Sequence, residues 1–391
     1  MREEYTYFIS LCRAYMEGKT VTLREDIDYS LLYRVSHSHN LSAVLFCVLN
    51  TSANKAAVPP EVFRRFEDDF LEAIIRSDKQ DEAQSRLDTL LTALHVPHIF
   101  FKGATLKRLY PVPQARVMGD IDVLIAEQDR ERVKQYLVSN GVQAVNTNGP
   151  VYDYLLDNCK IEMHTRIISG KVGSADAERG FADAMAHGVF DGCTGELTPD
   201  YHFAYLIAHL AHHFWFYGAG VKMIADLAVM LQQTNVDLQA VQAILEPMGL
   251  WEFAKVMLTV CEKWFSVGRN YDCDTEKTER FLLSFGAFGN VNRNKAAVIE
   301  RKELEDGKQT SRFKTKLRLL FPSYRKIKDI PYITFIEGRP YLLPLAWVYR
   351  LFYNLKNRRN FTVNTTKKIG SDETESSARA ELAYFKEIGL L

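Results

Sequence analysis

Apolar positions recur at helical spacing through the first part of the chain: Leu31, Leu32 and Val35, then Leu45, Phe46, Val48 and Leu49. Helices are therefore predicted over 1–18 and 29–50. Pro59-Pro60 opens a long amphipathic helix running to about residue 94. Proline suits that start because the first N–H groups of a helix lack partners. The helix's apolar stripe is read as Phe63, Phe66, Phe70, Ile74 and Ile75, continued by Leu87, Leu90, Leu91 and Leu94. The period then alternates between two and 3.6. This predicts a strand at 97–101, a helix at 103–110, a strand at 120–125, a helix at 127–140, and strands at 142–145, 151–156 and 160–167. Ser139-Asn140-Gly141 stops the second of those helices, and residues 146–150 form a turn cluster. From about 175 the chain reads as helical again, with helices over 199–216, 221–232, 237–247 and 250–266. A linker is expected at 268–280, a charged helix at 295–306, an apolar-aromatic helix at 341–355 and a terminal helix at 378–388. The pattern gives an α+β (mixed α/β) fold: a small sheet with helices on one face, embedded between N-terminal and C-terminal helical regions. The expected divisions are 1–95, 96–170, 171–267 and 268–391.

Composition narrows the classes. At 47% apolar and 25% charged, the bulk of the chain can bury a core and is not disordered. Forty-nine basic residues balance forty-nine acidic ones, which argues against a general nucleic-acid coat. A basic-aromatic stretch from Arg312 to Lys328 could meet nucleic acid or an anionic membrane, but the balanced total favours a solvated helix face. Six cysteines without a C-x-x-C pair read as reduced, mostly core thiols. The N-terminus has no apolar signal region, and the most apolar segment, 201–231, is broken by histidines, Lys222 and Asp226. No membrane span is expected, and the protein is read as cytoplasmic.

The chemistry gathers around Gly119-Asp120-Ile121-Asp122-Val123-Leu124-Ile125. On a strand, Asp120 and Asp122 share a face, while Ile121 and Val123 point to the core. Two carboxylates on one face call for a cation between them, and Mg²⁺, which prefers oxygen ligands and substrate phosphates, fits (Mn²⁺ is the other candidate). Upstream, a strand ending at Phe101 runs into Lys102-Gly103, a turn whose backbone N–H groups can approach a phosphate. Downstream, Lys160, Glu162, His164 and Arg166 alternate with Ile161, Met163 and Ile167, offering Glu162 as a third carboxylate. The competing reading of Glu162 is a pair with Lys160 or Arg166 across a solvated face. A lysine or arginine already filling the space between the carboxylates would tell against a metal there.

The order Lys-Gly-x-x-Leu, Tyr-Pro, Arg116, Gly-Asp-Ile-Asp-Val-Leu and Glu-x-His resembles the bacterial uncharacterised nucleotidyltransferase family, of the DNA polymerase β-like superfamily. The resemblance spans roughly 30–355 and is densest at 97–168. It implies a small nucleotidyltransferase sheet and transfer of an NMP from an NTP, ATP among the candidates, to a hydroxyl acceptor with release of pyrophosphate. The superfamily commonly has Gly-Ser at the turn; here Ala104 follows Gly103, leaving backbone N–H groups and Thr105 for the phosphate. Asp120, Asp122 and Glu162 are the expected catalytic and metal-binding residues. Lys102, Gly103, Thr105, Arg116, His164, His209 and Lys222 are the expected nucleotide contacts. Lys222 and Asp226, four apart on one helix, are also read as a mutual pair. His209, His212 and His213 could ligate zinc, but with no acidic partner nearby they are read as lining the nucleotide cleft. A catalytically silent nucleotide-binding protein on the same fold is the alternative. Nucleic acid as the acceptor is possible but not favoured.

Overall fold

The computed structural model describes residues 3–284, 286–287, 320–328, 330–357 and 372–391. It divides into two compact units, one of residues 1–145, 150–290 and 390, the other of 146–149, 291–389 and 391.

The first unit opens with three helices, α1 (Glu3–Met16), α2 (Tyr29–Ser38) and α3 (Ser42–Thr51), and then α4 (Pro60–Ala93). Helix α4 runs for 34 residues with proline in its first turn. Its buried face differs from the expected stripe in the middle: Val62, Phe66, Leu87 and Leu91 are buried, but between them lie Ala73, Ser77, Gln80 and Ala83. Ile75 is 58% exposed. Small and polar residues occupy this stretch because the backbone comes close here, with Gln80 donating to the Met118 carbonyl at 3.2 Å.

The sheet comprises β1 (His98–Phe101), β2 (Ile121–Ile125), β3 (Gln143–Asn146), β4 (Val151–Leu156) and β5 (Cys159–His164), with β6 (Gly188–Asp191) and β7 (Thr194–Leu197). Within it fall the short α5 (Gly103–Leu106), α6 (Arg130–Ser139) and α7 (Ala177–Gly180). Strand order is β3-β4-β5-β2-β1-β7-β6. The expectation of a wholly helical chain from about 175 is corrected here. Residues 188–197 form a hairpin whose second strand runs parallel to β1 and widens the sheet to seven strands. Strand β5 ends at His164, so Arg166 lies beyond it and pairs with Glu178.

Alternation divides the sheet's central strands into two faces. Ile121, Val123 and Ile125 join Ala83, Leu87 and Leu91 of α4 and Val133 and Leu137 of α6 in one core cluster. The opposite face, carrying Phe101, Asp122 and His164, is met by α8 (Pro199–Phe216): Phe101 packs edge-on to Tyr205 with ring centroids 5.5 Å apart. Helices α9 (Val221–Gln233), α10 (Leu238–Leu245) and α11 (Trp251–Phe265) follow, as expected. The expected linker at 268–280 instead leads into α12 (Glu276–Ser284), tied to α11 by Trp264 donating to Glu279 at 3.1 Å.

The second unit contains α13 (Tyr324–Ile327), a 3₁₀ segment Pro331–Ile336, α14 (Leu343–Asn357) and α15 (Asp372–Glu387). Ile327, Ile333, Ile336 and Ala346 form a small core there. The charged helix expected at 295–306 and the first part of the basic stretch, 312–319, lie outside the described residues. All six cysteines are free thiols. Among the described residues no helix is long and apolar enough to cross a membrane.

Candidate active site

Strand register assembles one wall of the site. Antiparallel pairing sets Asp122 opposite Phe101 of β1, and parallel pairing sets it opposite Glu162 of β5, with His164 opposite Leu124. Side chains at 122, 162 and 164 therefore rise from the same face. One ligand atom from each of Asp122, Glu162 and His164 lies within 4.8 Å of the others, and among the described residues this is the one three-donor group of that kind. The compact trio is Asp122, Glu162 and His164, with the third expected carboxylate, Asp120, outside it; the histidines of α8 form no such group. Asp120 stands beside it, close enough for hydrogen bonding with Glu162.

Two lysines reach these acids. The Lys102 ammonium sits 2.6 Å from Asp122 Oδ1, on the same oxygen that accepts from His164 Nε2 at 2.9 Å. Lys160 hydrogen-bonds Glu162 and lies 3.5 Å from Asp153 and 3.9 Å from Asp120. The pairing of Glu162 with Lys160 is thus present; that with Arg166 is not. Burial opposes charge on Asp122, but Lys102 and His164 outweigh it and hold the carboxyl below its usual range. His164, its Nε2 3.6 Å from Glu162, and then the hydrogen bond from Lys160 lower Glu162 against the effect of burial. Burial also works against charge on the His164 ring, yet its contacts with Asp122 and Glu162 raise its pKa.

Asp120 behaves differently. Burial, followed by repulsion from Asp122 and Glu162, pushes it up to about 7. Lys102 offsets that repulsion only in part. The Asp/Glu/His donor set is of a kind that can hold a divalent cation, with the lysine contacts as what it must displace.

The other wall is helical. A cleft of about 280 Å³ is lined by Lys102, Gly103, Arg116, Asp120, Asp122 and Glu162 from the sheet side, and by His209, His213, Lys222 and Asp226 from α8 and α9. Arg116 is not a solvent-facing loop arginine. It is buried, and it holds Asp226 with Nε to Oδ1 at 2.7 Å and Nη2 to Oδ2 at 2.8 Å. Tyr110 donates to the same carboxylate at 2.8 Å. Lys222 and Asp226 do interact electrostatically, as expected, but Arg116 is the principal hydrogen-bonding partner of Asp226. Burial, then Arg116, push the Lys222 amine down to about 7. His209 stacks on Tyr205 and, by burial and its neighbour His213, titrates well below its ordinary range.

The turn at Lys102-Gly103 is strained and tightly held. Lys102 adopts φ +52°, ψ −125°, a region non-glycine residues rarely enter, and such outliers gather at functional sites. Its N–H donates at 3.2 Å to Nε2 of His202. Burial keeps that imidazole neutral, at about 4, so it can accept. A side chain on Gly103 would meet Arg116 and Met118 at 3.1 Å. Thr105 does not serve as expected: its hydroxyl donates to the Phe100 carbonyl at 3.0 Å, and it lies outside the cleft lining.

Sequence reasoning missed His202, Tyr110 and Arg116's partner. The only available signals were a histidine near a helix start and buried-type residues in a loop. No curated protein matches the sequence. The model of a family described as "Uncharacterised nucleotidyltransferase" matches residues 25–266, which takes in both walls of the cleft. The chain belongs to the uncharacterised nucleotidyltransferase family.

Proposed function

We propose that the protein is a metal-dependent nucleotidyltransferase that moves an NMP from an NTP to a hydroxyl acceptor and releases pyrophosphate. The observation that carries this reading is the register of β2 and β5, which stands Asp122 beside Glu162, with Asp120 against them and Lys102 within reach. A divalent cation, Mg²⁺ or Mn²⁺, would be held by Asp122, Glu162 and Asp120, with His164 Nε2 as a further donor that favours Mn²⁺. When bound it neutralises charge on the reacting phosphates.

The remaining roles belong to side chains of this chain. Lys102, released from Asp122, turns its ammonium to the triphosphate, and the Gly103 turn lets the backbone approach it. Arg116, held in place and offset by Asp226, and Lys222 line the floor of the cleft, where a protonated Lys222 meets the triphosphate. His209 lines the nucleotide side. Glu162 accepts the proton of the attacking hydroxyl or holds a second ion.

Incubation with α-labelled and γ-labelled NTP tests this. The expected result is α-label retained on an acceptor, pyrophosphate released, and both lost with a chelator. A metal-dependent thermal shift with NTP but no pyrophosphate would favour a silent nucleotide-binding protein.

A further inference from the structure

Helix α14 in the second unit is apolar on two sides. One side packs inward: Ala346 is buried with Ile327, Ile333 and Ile336, and Trp347 donates its indole N–H to the Pro322 carbonyl at 2.8 Å. On the other, Leu345 is 56%, Val348 52%, Tyr349 46% and Phe352 69% exposed, with Tyr341 just before the helix at 75%. Spacings of three and four place them on one stripe. A helix apolar all round is ordinarily buried all round.

The charge of the sequence that flanks this stripe is one-sided. Between residues 307 and 371 the sequence carries fifteen lysines and arginines against two acidic residues, Asp329 and Glu337. Lys328, Arg339 and Lys356 are exposed in the described part. The balanced charge of the whole chain conceals this local surplus.

We propose that the exposed stripe of α14, with the basic residues of its unit, docks the protein on an anionic lipid surface, lying in the interface rather than spanning it. An apolar face set in a lysine- and arginine-rich frame is the pattern of an interfacial helix. Leu345 and Val348, which offer no ring for a base to stack on, suit the headgroup–acyl boundary. A second copy is disfavoured because two strongly basic units would be brought together.

The test is flotation of the full chain with vesicles of phosphatidylcholine alone or with phosphatidylglycerol added, at low and high salt; it is independent of the catalytic reading. The expected result is binding to the anionic vesicles only, weakened by salt and reduced about tenfold or more in Leu345→Glu/Phe352→Glu. An Arg339→Glu/Lys356→Glu variant, which leaves the stripe intact, should also bind less, and circular dichroism would verify that both variants fold. Failure to bind anionic vesicles, undiminished binding by the folded stripe variant, capture of polyuridylate without vesicle binding, or a dimer that the stripe substitutions dissolve would each overturn the proposal.

Discussion

On the sheet wall of the cleft, Asp122 and Glu162 stand on paired strands and Asp120 two residues before. On the helical wall, Lys222 and Asp226 come from α9, and Asp226 is locked to Arg116 from a loop 110 residues earlier. The first wall is set by a local rule, the two-residue alternation of strands. The second is set by how distant elements pack, and its charges are fixed by one another. The sheet wall should therefore govern chemistry above all, with a moderate stability cost where Asp122 is lost to Lys102 and His164, and the helical wall should govern both strongly.

The largest expected effect is on the sheet wall. Asp120→Asn/Asp122→Asn should cut NMP transfer by about a thousandfold or more, since several kcal/mol of transition-state charge stabilisation is lost. Denaturant unfolding should show a moderate loss, because Asp122→Asn leaves the Lys102 ammonium and the His164 ring without their carboxylate, offset in part by relief of the repulsion at Asp120.

Next comes the bidentate pair. Arg116→Ala strands Asp226 in a buried site, and a loss of about 3–5 kcal/mol in chemical denaturation is expected. Arg116→Met/Asp226→Leu should recover most of that stability while leaving transfer impaired. A fully stable but inactive double variant would separate the two tasks of this wall.

A pH dependence distinguishes the walls more finely. Lys222 has a folded pKa lowered to about 7, so below that pH it is charged and can meet the triphosphate directly. Above it, binding must first take up a proton, and NTP affinity should fall as pH rises. Calorimetric titrations on either side of neutrality should show this slope in the native protein and a flatter one in Lys222→Met. Equal slopes would remove Lys222 from the nucleotide site.

The smallest effect is at the turn. Thr105→Val removes the hydrogen bond to Phe100 and should cost about 1 kcal/mol in thermal unfolding with NTP affinity unchanged.

The same contrast explains what could be read in advance. Alternation in 120–125 and 160–167 was enough to bring Asp122 and Glu162 onto one face, because a strand's period leaves no choice of side. It also offered Lys160 as a partner of Glu162 on that face, but it could not show that Lys102, in a turn outside the alternation, would reach Asp122. The 188–197 hairpin carried an Asp191-Gly192 turn signal, with Gly192 at φ +63°, but its strands are only four residues each and their alternation is too short to stand out. In α4 a count of large apolar residues passed over Ala73, Ser77, Gln80 and Ala83, which are buried because they are small or find a partner. Pairings such as Arg116 with Asp226 follow from packing alone.

The account turns on whether the acids around Asp122 hold a divalent cation in preference to the two lysines now on them. Titration of Mn²⁺ into the protein, followed by electron paramagnetic resonance with and without NTP, measures this directly. The account predicts saturable binding that tightens with NTP, shows nitrogen coupling from His164, and is lost in Asp122→Asn and Glu162→Gln. No binding in the native protein, or binding undiminished in both variants, would mean that Lys102 and Lys160 satisfy the site and would contradict it.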